Sequence, residues 1–101
     1  MQFENVVLSN FPEIDEVDQG LMQKNMETFF SKVSFLDSPT LYVNYKGYAK
    51  GGLRKQHEIH VKLTTSVDAI FASDTGWQLL EVLQGSLKKL EKEVQKKHSQ
   101  R

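Results

Sequence analysis

Lysine recurs at positions 88, 89, 92 and 96 of this 101-residue chain, with Lys62 on an alternating run upstream and Arg54 and Lys55 in a glycine-rich stretch before it. Cations set one helical turn apart can neutralise a row of phosphates, a contact that positions a polyanion without reading its sequence. The same residues also fit the solvated end of a surface helix, and charge alone does not choose between the two.

Other chemistries find less support. Cysteine is absent, which excludes disulfides and thiolate metal sites and allows a reducing compartment. His57 and His60 are three positions apart, so on a strand they project to opposite faces, and His98 is distant; no ligand cluster results. Ser, His and Asp all occur, but nothing in their spacing sets up a nucleophile. The stretch from Gly47 to Gln56 lacks the spacing and the Lys-Ser/Thr ending of a phosphate-binding loop. The chain is expected not to be an enzyme and to need no cofactor, metal or small-molecule substrate.

The elements that would carry these residues follow from period and punctuation. Gln2 to Leu8 reads as a short strand. Phe11, Pro12 and the acids Glu13, Asp15, Glu16 and Asp18 lead into a helix, since acids favour a first turn. Ile14, Val17, Leu21, Met22, Met26, Phe29, Phe30 and Val33 recur at spacings near three and four, predicting one buried helical face, with Gly20 moving the start towards Asp18. Its Met and Phe residues fit core packing better than a cofactor pocket. After the turn at Asp37, Ser38 and Pro39, Leu41, Val43 and Tyr45 alternate with polar neighbours as a half-buried strand. Gly47 to Gln56 reads as a long hairpin connection carrying Lys46, Lys50, Arg54 and Lys55, either a solvated loop or an arm that orders on phosphates. Ile59, Val61 and Leu63 give the next strand an inward face, and Val67 to Ser73 a third, completing an antiparallel meander with one face free for helices. Asp74 or Thr75 is expected to cap the last helix. Its stripe Leu79, Leu83, Leu87, Leu90 and Val94, with Leu80 and Trp77 beside it, lies opposite Lys88, Lys89, Lys92 and Lys96. Gly85 permits something to approach the helix backbone.

The chain suits one domain over residues 1–101, with 39% apolar residues and a net charge of zero. That zero conceals an asymmetry: residues 1–45 hold seven acids against two lysines, and residues 46–101 eleven bases against six acids. Opposed halves can still present a basic face to a polyanion. The start shows no signal peptide, and no apolar run approaches the roughly 18 residues of a membrane span, so a cytoplasmic protein is expected.

The order strand, helix, three strands, helix resembles the ribosome hibernation factors, the ribosome-associated inhibitor A or protein Y family. The detailed likeness runs from about Gly51 to Lys97. It takes in Arg54-Lys55, the strand from His57 to Leu63, the strand ending at Ser73, the lead-in from Gly76 to Leu79, and above all Leu87 to Lys96. In that last piece the family's helix carries a leucine followed by an acid and then a base, with further bases one turn either side; here the bases fall on Lys89, Lys92 and Lys96. The amino-terminal half matches in element order only. Family members commonly have a Met-Tyr pair early in this helix, where this chain has Leu79-Leu80, and long members carry a further dimerisation domain. The resemblance implies a translation inhibitor that sits on the small ribosomal subunit and sterically blocks the channel for messenger and transfer RNA under stress. It implies that Lys62, Lys88, Lys89, Lys92, Lys96, Arg54 and Lys55 contact ribosomal RNA phosphates, with a monomer favoured.

Two alternatives stay open: a double-stranded RNA-binding domain, which has a similar element order, and a protein-interaction module using an edge strand or the acidic first helix. The expected architecture is an α+β two-layer domain, a four-stranded sheet with both helices on one face. Phe3, Met26, Phe30, Leu41, Val43, Ile59, Val61, Leu63, Phe71, Leu83, Leu87, Leu90 and Val94 are expected in its core.

Overall fold

Alternation of apolar and polar residues and two helical stripes resolve into the order β1 (Val6–Ser9), α1 (Glu16–Lys32), β2 (Thr40–Ala49), β3 (Lys55–Thr64), β4 (Ala69–Gly76) and α2 (Leu79–Ser99). The computed structural model describes residues 2–49, 52 and 54–99. The strands form one mixed sheet in the order β1-β2-β3-β4. β1 runs parallel to β2, with Val6 opposite Leu41, and the other two pairings are antiparallel.

The register decides which face is covered. Leu41 pairs with Leu63, and Leu63 with Ile70; Val43 pairs with Val61, and Val61 with Ala72. These rows point the same way as Val6 and Leu8 and pack with both helices into one core. From α1 come Met22, Met26 and Phe29, with Val33 just past its end; from α2 come Val82, Leu83, Leu87, Leu90 and Val94. The two helices share this face and meet along a seam where Lys32 lies 3.6 Å from Glu91 and Gln84 donates to Asn25 at 3.1 Å. The other face of the sheet is left open.

Several expectations change. Helix α1 begins at Glu16, two residues earlier than Asp18, because Asp15 caps it: its carboxylate accepts from the Asp18 amide at 2.8 Å. Val17 and Leu21 belong to the outer side of α1; Val17 is 74% exposed. Asp74 and Thr75 do not cap α2, because β4 continues through them to Gly76 to keep its ladder with His57, Glu58 and Ile59. Phe71 is 64% exposed, since Ile70 and Ala72 take the inward positions opposite Leu63 and Val61. Phe3 and Phe30 are half-buried against the core.

The hairpin connection is also shorter than expected. β2 runs on through Gly47, Tyr48 and Ala49, and β3 starts at Lys55. Gly47 marks a close approach here: a Cβ would meet the Lys55 side chain and come within 2.8 Å of the Tyr45 hydroxyl. Lys50, expected on this connection, lies outside the described residues.

Candidate nucleic-acid interface

The stripe Leu79, Leu83, Leu87, Leu90, Val94 turns the opposite side of α2 to solvent. Lys88, Lys92 and Lys96, each four residues from the next, are exposed there. They form no ion pair among the described residues, so their charges are available to an outside anion. Lys88 also lines a groove of about 250 Å³ between the helices with Lys32, Gln84 and Glu91.

Lys89 is placed differently. One position round the helix, it reaches the edge of the sheet, where its ammonium donates to Asp74 Oδ1 at 3.0 Å and to the Ser73 carbonyl at 3.4 Å. The same carboxylate occupies the space that a Cβ on Gly85 would need. The approach foreseen at Gly85 is therefore made from within the chain. Lys97 likewise turns to the sheet, 3.9 Å from Asp68.

The remaining expected residues stand apart from α2. Lys62 projects from β3 onto the open face, its ammonium 4.7 Å from the centre of the Tyr42 ring. Arg54 stacks over Trp77 at 4.3 Å, just before α2 begins, and Lys55 lies 5.8 Å from the Tyr45 ring. Lys92 is thirteen residues past Leu79, about 20 Å further along the helix axis at 1.5 Å per residue. The structure thus brings Lys88, Lys92 and Lys96 together and separates them from Lys62, on the far side of the sheet, and from Arg54, at the other end of α2.

Sequence reasoning missed two arrangements. On the open face, Tyr42, Lys62 and Phe71 stand in one row across β2, β3 and β4, and Asn44, His60 and Ser73 in the next. The phase of β2 and β3 was readable; the phase of β4 was not. Second, Tyr45 Oη and His57 Nδ1 lie 2.6 Å apart at the end of the covered face, with Phe11 edge-on to Tyr45. Burial, and next the Lys55 charge, hold His57 below the ordinary histidine range, which favours the neutral ring. Glu58 accepts from the Tyr48 hydroxyl at 2.8 Å, and that bond leads the causes holding its carboxyl below the usual range. No group of three or more potential metal ligands occurs among the described residues. No helix among them is long and apolar enough to cross a membrane.

A mixed β-α-β-β-β-α sheet with a basic helix on one side and an open face on the other defines the class as a two-layer α+β domain. Among solved structures it is similar to the crystal structure of the Thermus thermophilus Protein Y N-terminal domain. The TM-score is 0.59 at 11% identity, covering 95% of this chain and 98% of that one. At that identity the likeness shows a shared fold. No family model and no curated protein matches the chain.

Proposed function

We propose that this chain is a ribosome-associated factor that silences translation by occupying the messenger and transfer RNA channel of the small subunit. The observation that carries the reading is the shared fold with the Protein Y N-terminal domain over nearly the whole of both chains. The sequence likeness between Gly51 and Lys97 agrees with it, and the exposed row Lys88, Lys92, Lys96 supplies cations suited to ribosomal RNA phosphates. Lys62, Arg54, Lys55 and Lys89 are secondary contacts in this reading, because each already leans on an aromatic ring or a carboxylate. The mechanism is steric, without bond-making, by a cytoplasmic monomer acting under stress as a single domain.

Duplex RNA binding fits less well. That module sets its lysines at the start of the last helix, whereas α2 opens with Leu79 and Leu80 and reaches its first lysine at Lys88. A protein-interaction role has one observation in its favour, the exposed Val17 and Leu21 on the outer side of α1.

Co-sedimentation with small ribosomal subunits across a salt series, run beside in vitro translation, tests the proposal. Saturable binding that weakens steeply with salt and halts translation is the expected result. Absence of binding at low salt overturns it. Salt-insensitive binding moves the weight to the apolar patch on α1.

A further inference from the structure

We propose that the open face of the sheet is a stacking platform for unpaired bases of single-stranded RNA. The inference deepens the RNA-binding reading above and rests on it, but assigns the contact to a surface on the opposite side of the molecule from the α2 lysines.

The geometry comes from the register. Tyr42 pairs with Lys62 and Lys62 with Phe71, so the two rings flank a lysine on the intervening strand. With strands about 4.8 Å apart, the ring-bearing backbones are about 10 Å from one another. Tyr42 is 37% and Phe71 64% exposed, and Val7 extends the same row on β1. Neither helix covers this face. The next row, Ser9, Asn44, His60 and Ser73, gives the shallow depression between the rings donors and acceptors suited to base edges and ribose hydroxyls.

The charge of the face fits a nucleic acid. Lys46 and Lys62 stand on its strands against one carboxylate, Glu58, which is already engaged by Tyr48 at 2.8 Å and by the His60 ring at 3.2 Å. Lys62 rests on the face of Tyr42. A base arriving on that ring replaces the ammonium, which then turns to the neighbouring phosphate. Aromatic rings bind any base with a free π-face. A duplex hides those faces within its own stack, so the platform selects single strands.

The test is fluorescence anisotropy of a labelled eight-nucleotide single-stranded RNA of mixed sequence, titrated with the full chain at low salt. The natural chain is expected to bind, the matching duplex to bind more weakly, and Tyr42→Ala with Phe71→Ala to lose about tenfold or more in affinity. Tyr42→Phe should keep affinity, since the ring and not the hydroxyl makes the contact. Melting temperature controls for folding, both side chains being exposed. Unchanged affinity in the double alanine variant, equal binding of the duplex, or no binding overturns the platform. The two proposals fail separately: ribosome co-sedimentation without oligonucleotide binding overturns this one, and oligonucleotide binding without co-sedimentation upholds it while overturning the ribosome reading.

Discussion

Lys89 and Asp74 form an ion pair at 3.0 Å that ties the middle of α2 to the edge strand β4. The pair separates Lys89 from its neighbours in sequence: its charge is partly spent inside the molecule, while Lys88, Lys92 and Lys96 face outward. Reversing Lys89 to Glu would set two carboxylates against each other and mix a folding defect with a binding one.

The variant that isolates binding is therefore Lys88→Glu with Lys92→Glu and Lys96→Glu. It should abolish co-sedimentation with small subunits and shift the melting temperature by only a few degrees. Single Lys92→Ala should lower the slope of log affinity against log salt by about one. A triple variant that still sediments with the subunit sinks the assignment of these lysines.

Gly85 and Asp74 should be energetically coupled. Gly85→Ala adds about 1 kcal/mol of helix propensity but drives a methyl into the Asp74 carboxylate, where crowding costs about 1–3 kcal/mol. The net effect in the natural chain is expected to be a loss of about 1 kcal/mol. In an Asp74→Ala background the same change should instead stabilise. Urea denaturation of the four chains measures the coupling directly, and additive effects would refute it.

His57 gives the fold a pH dependence of known sign. Burial first, and then Lys55, lower its pKa in the folded state, so the unfolded chain takes up the proton earlier as pH falls. Stability from this site is complete above about pH 6.5 and declines as pH drops through that value towards the lowered one. His57→Gln should flatten that part of the stability curve between pH 7 and 5. An unchanged slope would show that the ring titrates alike in both states.

Capping and core positions can be ranked against the open face. Asp15→Ala should cost about 1 kcal/mol by removing the acceptor for the Asp18 amide. Leu83→Ala, at a fully buried position, should cost about 2–5 kcal/mol. Phe71→Ala should stay within about 0.5 kcal/mol. Equilibrium denaturation distinguishes the three.

Much of this fold was legible where a period was long or its phase unambiguous. Ile59, Val61 and Leu63 could face only one way together, and the five-residue stripe of α2 left a single outer side for Lys88, Lys92 and Lys96. In β4 the phase was undetermined, because Ile70 and Phe71 are adjacent and both apolar; pairing with Leu63 chose isoleucine and left the larger ring outside. Glu13, Asp15, Glu16 and Asp18 straddle the start of α1, and only geometry selected Asp15 as its cap. Gly47 resembled a turn residue until the Lys55 side chain was found in the space above it. Contacts such as Lys89 with Asp74 join residues fifteen positions apart, a distance at which local patterns carry no information.

The β2–β3 hairpin has a thermodynamic consequence of its own. β1 pairs with β2 only as far as Asn44, and β4 pairs with β3 only as far as His57, so among the described residues the rungs Tyr48–Gln56 and Ala49–Lys55 have no flanking strand. A two-stranded ribbon is marginal by itself. Its amides should exchange with solvent through local fraying while the Val61 and Leu63 amides wait for global unfolding. Whatever partner grips the ribbon would slow that exchange at its tip, and its affinity would carry the entropy lost in stilling it.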